Sequence, residues 1–270
     1  MVIIGEVMNK NNLYLALLCL GAPALSFAQP ANHNKIAVGE KSPAPFHGTP
    51  TQPISRQQLC YNGGNFHWPP DGANIPDAAC KAAYQHNYNK YKDKFDNDQQ
   101  LIEQSNYPFV QKDEFAKLIP DYNNQDKVKE TIPDGQLCSG GNVGTEKDSK
   151  KDYLWNDKSG MDVAASWTAS NVKLNDNGEI DIVYHATATH NPSFFEVYLS
   201  SADYKASERP LKWSDLTLLK KVTDAKLEGS DYKFSAPANN AKGERVLFIR
   251  WQRIDPAGEG FYSCSDINIQ

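Results

Sequence analysis

The sequence has no excess of positive charge. Its 270 residues include 28 Lys and Arg against 33 Asp and Glu, which gives a formal net charge of −5. Domains that bind nucleic acids or anionic membranes normally carry a basic stripe. We therefore expect neither nucleic acid nor a membrane surface as a partner.

The sequence also lacks an apolar run long enough to cross a bilayer, which needs about 20 residues. Its early apolar stretch covers only residues 13–20, and Pro23 interrupts the continuation. Lys10 precedes this stretch, and Ser26-Phe27-Ala28 places small residues at the positions expected for cleavage. Residues 1–28 thus predict a signal peptide and a secreted, extracellular protein.

Short C-x-x-C pairs, internal repeats, a serine–histidine motif and paired catalytic carboxylates are missing as well. Their absence argues against a zinc site, a repeat protein and a hydrolase. The polar, proline-rich residues 29–46 indicate a linker or pro-segment. We expect one folded domain over residues 47–270, with no further domain after its last strand.

The cysteines suggest disulfide bonds. Of the five, Cys19 falls in the signal peptide, and four in an exported domain allow two bonds in three pairings. We favour Cys60–Cys80 with Cys138–Cys264. In the chain-entropy model these bonds contribute about 3 and about 5 kcal/mol.

One amphipathic helix is predicted after residue 76, where an aromatic stripe has helical spacing among polar residues. It consists of Tyr84, Tyr88, Tyr91 and Phe95. We expect this stripe to pack onto the sheets. More helix or loop continues to residue 129, and a turn follows at residues 133–135.

The second half of the chain predicts strands. Residues 163–174 and 179–189 are expected to form a hairpin around the turn at 175–178. Further strands are predicted at residues 194–200, 245–254 and 260–269, the last two joined by residues 255–258. The chain is therefore predicted to be mainly β, an immunoglobulin- or fibronectin-III-like β-sandwich with a helix-rich loop insertion.

His190 is the first candidate for a functional residue. Residues 180–190 alternate as in a strand, and Asn191-Pro192 ends the ladder because proline has no N–H to donate. His190 then lies at the open end of the sandwich beside the small Ala188, whereas His185 faces the other side. A hydrogen-bonded surface histidine is the competing interpretation, because one imidazole cannot hold a metal ion alone.

Three separate pieces of sequence together carry a family resemblance. They are His47-Gly48, Ala188-Thr-His190, and the run from Glu259 through Phe261 to Asp266. Together they resemble the lytic polysaccharide monooxygenases of bacterial and viral type, also described as chitin-binding type-4 domains. Residues 213–216 and 250–256 also look like that family, so the resemblance covers residues 47–270.

The resemblance implies a site for one copper ion, called the histidine brace. His47 would bind copper through its α-amine and its ring, and His190 would complete a set of three nitrogens, a donor type that suits copper. Ala188 would crowd one axial side and Phe261 the other. Glu259 would be an outer carboxylate beside the oxygen pocket, although alone it would be taken for a solvated turn residue and Phe261 for core.

The resemblance also implies the substrate. Tyr61, Phe66 and Trp68 lie where family members place aromatic rings that stack on sugars, although packing under the first disulfide explains at least one of them. We expect an insoluble polysaccharide, chitin first and cellulose second, an external electron donor and a monomer. The alternative is a non-catalytic chitin- or glycan-binding protein or adhesin on the same fold.

The copper site depends on where the mature chain begins. Cleavage after Ala28 leaves His47 eighteen residues inside the chain, with an amide nitrogen in place of an amine. An α-amine has a pKa about 2.5 units below that of lysine, so it becomes a neutral donor more easily at neutral pH. We hypothesise that processing occurs immediately before His47.

Overall fold

The computed structural model describes residues 47–64, 69–144 and 156–270. The predicted signal peptide, the segment 29–46, and Phe66 and Trp68 lie outside the described residues. All the described residues belong to one compact unit within residues 43–270. Among the described helices, none is long and apolar enough to cross a membrane.

In the described part of the chain, ten strands form two sheets, which confirms the predicted sandwich. The strands are β1 (Gly48–Gln52), β2 (Ala116–Leu118), β3 (Ser170–Val172), β4 (Glu179–Ala186), β5 (Ser193–Ser200), β6 (Leu216–Val222), β7 (Lys226–Glu228), β8 (Asp231–Pro237), β9 (Gly243–Arg253) and β10 (Glu259–Ile269). The four-stranded sheet has the order β1-β4-β8-β7. The six-stranded sheet has the order β2-β10-β9-β5-β6, and β3 pairs with β10 in parallel.

The predicted helical insertion lies between β1 and β3. It contains α1 (Arg56–Gly63), α2 (Ala78–Tyr91), α3 (Asp98–Val110) and α4 (Gln125–Thr131), with a short 3-10 helix at Ser159–Asp162. Side-chain caps begin the longer helices, as where Asp77 accepts the backbone N–H of Cys80 at 2.8 Å. These helices cover the outer face of the six-stranded sheet.

The six-stranded sheet is consequently buried on both faces. Leu247 and Phe261 pack between the sheets, whereas Phe248 and Tyr262 pack in a second cluster with residues of the insertion. This explains why β9 and β10 are almost continuously buried, while β4 alternates between buried and partly exposed positions.

The aromatic stripe forms a helix as predicted, and it contacts both a helix and the sheet. Tyr84 stacks on Phe109 of α3 with ring centroids 6.3 Å apart. Tyr84 also belongs to the buried cluster that contains Phe248 and Tyr262 of the six-stranded sheet. Phe95 lies beyond the end of α2 at Tyr91.

Three strand predictions need correction. Residues 163–169 form a loop, tied by the N–H of Ala165 to the carbonyl of Ala206 at 2.9 Å, and only Ser170–Val172 is strand. The turn at 175–178 exists, but β3 pairs with β10 and β4 with β1 and β8, so no hairpin forms. Strand β4 ends at Ala186 rather than near His190.

The favoured disulfide pairing is confirmed. Cys60–Cys80 links α1 to α2, and Cys138–Cys264 links the loop after α4 to β10. Each bond therefore attaches part of the helical insertion to a neighbouring element, the second one directly to the six-stranded sheet.

Candidate metal centre at one end of the sandwich

His47 lies at the start of β1, against the end of β4. Gly48 pairs with Ala186, and the carbonyl of His47 accepts the backbone N–H of Thr187 at 2.8 Å. This bond continues the pairing of β1 with β4 by one residue beyond the ends of the two strands. A Cβ on Gly48 would lie 2.6 Å from the Tyr184 ring and 2.7 Å from the carbonyl of His185, so only glycine fits after His47.

His190 lies in the loop after β4, where a tyrosine fixes its backbone. The hydroxyl of Tyr232 on β8 is 3.0 Å from both the N–H and the carbonyl of His190, accepting from the first and donating to the second. Ala188, two residues earlier, is half-buried in the same loop. The loop is therefore held in place although it belongs to no strand.

One aromatic cluster supports both histidines. Phe261 meets the ring of His47 edge-on at 6.4 Å between centroids and stacks on Trp251 at 5.0 Å. Trp251 in turn lies 5.6 Å from Tyr232, which fixes His190. Phe261 is fully buried, so the part of its ring next to His47 belongs to the core of the sandwich.

His47 is surrounded by carboxylates. Its Nδ1 lies 3.4 Å from Oε1 of Glu114, in the loop between α3 and β2. Burial lowers the pKa of His47 below its ordinary value, although Glu114, Glu259 and Asp113 act in the opposite direction. The imidazole is therefore neutral at neutral pH, the form that binds metals.

Glu259 makes an ion pair with Arg253, at the hairpin between β9 and β10. The same guanidinium holds Asp255, whose Oδ2 lies 3.8 Å from Nε2 of His190. The sequence alone indicates no role for Glu114, Arg253 or Asp255. The last two lie within the motif at residues 250–256, whereas nothing in the sequence marks Glu114.

Tyr61, predicted as a substrate contact in a loop, lies on helix α1. Its side chain is 45% exposed, and the ammonium group of Lys112 lies 5.3 Å from its ring centroid. The helix holds the ring outward at the surface.

The donor set available for a metal is limited. Within residues 47–64, 69–144 and 156–270, no three His, Cys, Asp or Glu side chains lie close enough together to hold an ion. His47 and His190 supply two imidazoles, and a third nitrogen requires a free α-amine at His47. Such a set of neutral nitrogens fits copper, so the residues present suit that metal once the chain begins at His47.

The chain is similar to known proteins of one family. The family model described as lytic polysaccharide mono-oxygenase, cellulose-degrading, matches residues 47–267. A spindolin of Heliothis armigera entomopoxvirus is 32% identical over 236 residues, which cover 82% of this chain and 66% of the spindolin. The chitin-binding protein CbpD of Pseudomonas aeruginosa is 32% identical over 142 residues, which cover 51% of this chain and 33% of that protein.

Solved structures agree as well. The fusolin spindles of Wiseana spp entomopoxvirus match with a TM-score of 0.72 and 33% identity, covering 83% of this chain and 82% of the fusolin chain. The chain spans two thirds or less of the length of the two curated relatives described above.

Proposed function

Since the chain belongs to the lytic polysaccharide monooxygenase family, we propose that it is a secreted copper enzyme that cleaves crystalline chitin oxidatively, with cellulose as the second candidate substrate. The observation that carries this proposal is the placement of His47 and His190 around one aromatic cluster at one end of the sandwich. The family match begins at residue 47, which supports processing immediately before His47.

The residues of the chain have separate roles in this proposal. His47 would hold one copper ion with its amine and ring, and His190 would hold it with its ring. Phe261 and Ala188 would limit the access of further ligands, and Glu259 would supply a carboxylate close to the ion without binding it. When bound, copper supplies redox chemistry with oxygen or peroxide, using electrons from an external donor.

The remaining residues orient the site and the substrate. Tyr232 fixes the loop of His190, and the bond from Thr187 to His47 holds the new N-terminus against β4. The exposed ring of Tyr61 offers a flat apolar face for a sugar ring. Phe66 and Trp68 are proposed to extend this surface.

The test begins with a mass spectrum of the secreted protein, which is expected to start at His47. The copper-loaded protein is then incubated with chitin, ascorbate and oxygen or peroxide, and oxidised chito-oligosaccharides are expected. The His190→Ala variant should yield none. An active form that starts at Gln29, or wild-type protein that releases no oxidised product from chitin or cellulose, contradicts the proposal.

A non-catalytic chitin-binding protein on the same fold is the second candidate. It is favoured by the absence of three metal-binding side chains in one place among the described residues, because without processing no third donor is supplied. Binding to chitin without oxidised products, after incubation with copper, ascorbate and oxygen or peroxide, would support this candidate.

A further inference from the structure

The guanidinium of Arg253 lies between two carboxylates at the metal end of the sandwich. Its Nη2 is 2.9 Å from Oδ2 of Asp255, and its Nη1 pairs with Glu259. The three side chains are 17%, 18% and 19% exposed, so this network is largely shielded from solvent. Charge-assisted hydrogen bonds in such a setting hold their partners firmly.

One end of this network reaches His190, where Asp255 Oδ2 is 3.8 Å from Nε2. The other end lies on β10, where Glu259 precedes Phe261 by two residues, and the ring of Phe261 meets that of His47 with centroids 6.4 Å apart. Arg253 thus connects the surroundings of two residues that are 143 positions apart, counted from 47 to 190.

The backbone fixes the same arrangement. Oδ1 of Asp255 accepts the N–H of Gly258 at 2.9 Å, so the hairpin turn sets the orientation of the carboxylate. The N–H of Ile254 donates to the carbonyl of Pro192 at 3.0 Å, which ties the end of β9 to the loop that carries His190. The backbone of the turn and of the loop is thus fixed, and only the charged side chains of the network can still change conformation.

We propose that Arg253 is a positioning residue that holds Asp255 beside His190 and fixes Glu259 at the start of β10, near Phe261, and so sets the outer charge around the copper site. This inference rests on the proposed function. Without the guanidinium, two carboxylates would face each other uncompensated and would turn away from their present positions. A lysine cannot replace Arg253 fully, because a single ammonium does not present the two-pronged fork that contacts both partners.

The test compares Arg253→Met and Arg253→Lys with the wild-type secreted protein, each with a verified N-terminus. Copper(II) affinity is measured by calorimetry, and the copper signal by electron paramagnetic resonance. Loss of outer partners typically costs 10–100-fold in metal affinity. We expect the Met variant to bind copper about 10-fold more weakly with an altered resonance spectrum, and the Lys variant to recover part of the loss.

Arg209→Met is the matched control. Arg209 also holds one carboxylate with two bonds, both of 2.7 Å to Asp215. The carbonyl of Asp215 accepts the N–H of Ser201, whereas Ser193 lies opposite Arg253. Asp215 and Arg253 are thus attached to opposite ends of β5, at points about 26 Å apart along the strand. This variant should leave both the affinity and the spectrum unchanged.

The experiment distinguishes a failure of this inference from a failure of the proposed function. Wild-type protein that binds copper, with an Arg253→Met variant of identical affinity and spectrum, overturns the inference and leaves the proposed function intact. Wild-type protein that starts at His47 and fails to bind copper overturns both. If the Met variant does not fold, Arg253→Lys and Asp255→Asn are compared with wild type instead. Unchanged copper spectra in both variants would contradict a positioning role for Arg253.

Discussion

Arg56 and Asp266, which are 210 residues apart, form a two-point ion pair inside the domain. Nε and Nη2 of Arg56 lie 2.7 and 2.9 Å from the two carboxylate oxygens, and the side chains are only 3% and 8% exposed. Nη1 donates to the carbonyl of Met161 at 2.9 Å, so the guanidinium also attaches α1 to the 3-10 helix. The pair joins the helical insertion to β10.

Replacing Arg56 with Met is expected to destabilise the domain by about 3–5 kcal/mol, because Asp266 would remain buried without its counter-charge. Urea unfolding of both proteins measures this loss. Arg209→Met is the control, since its side chain is 42% exposed and pairs of that kind contribute about 1 kcal/mol or less. Equal losses in the two variants would contradict the prediction.

The two disulfides should differ in their contribution to stability. Cys138–Cys264 spans 126 residues and Cys60–Cys80 spans 20. In the chain-entropy model, replacing the first pair with alanines costs about 5 kcal/mol and replacing the second about 3 kcal/mol. Urea midpoints of the two double variants test the order, and a larger loss for Cys60/Cys80 would count against the model.

Asp162 should make stability depend on pH. Burial raises the pKa of its carboxyl to about 7, against the opposing effect of N–H groups donated by Cys138 and Ser139. The folded state therefore binds this proton more tightly than the unfolded chain, whose value is about 3.9. The contribution to stability is fully present below pH of about 4 and is lost as the pH rises through about 7.

The Asp162→Asn variant removes this dependence. Relative to wild type, it should gain up to about 4 kcal/mol between pH 4 and pH 8, since one pKa unit corresponds to about 1.4 kcal/mol. Urea unfolding at several pH values measures the difference. Asp215→Asn is the control. Because Arg209 holds the pKa of Asp215 below its usual range, the difference in unfolding free energy between this variant and wild type should stay constant above pH of about 5. A flat difference for Asp162→Asn would refute the prediction.

Tyr61→Ala is expected to weaken binding to chitin about 2- to 10-fold, the range that corresponds to about 0.5–1.5 kcal/mol for one aromatic contact. A pull-down isotherm with insoluble chitin measures the change. Leu218→Ala is a suitable control because Leu218 is 48% exposed on β6, at the opposite edge of the six-stranded sheet from β2. Equal affinity of wild type and Tyr61→Ala would exclude a role for this ring.

The long strands of the sandwich could be predicted because their patterns are local. Ile180, Ile182 and Tyr184 alternate inward as expected, and residues 255–258 join β9 and β10 in an antiparallel hairpin. The loop at residues 163–169 could not be recognised, because its apolar residues pack with the helical insertion and not in a ladder. Periodicity cannot distinguish these two ways of being buried.

The residues of the candidate site also fall into two groups, those that the sequence could predict and those that it could not. His47 and His190 could be selected because short motifs surround them, and the structure brings both to one aromatic cluster. Glu114 could not be selected, because its approach to His47 depends on the course of the loop between α3 and β2. Its charge becomes relevant only when the fold places it 3.4 Å from the imidazole.

Strand β10 carries Phe261, Cys264 and Asp266 within six consecutive residues. The aromatic ring that meets His47, a disulfide cysteine and the buried counter-ion of Arg56 thus lie on one stretch of backbone. This stretch is in the middle of a sheet that is covered on both faces. Fluctuations that expose such a stretch require most of the domain to open at once. The end of the molecule that carries His47 is therefore as durable as the domain itself, because it cannot open without the rest.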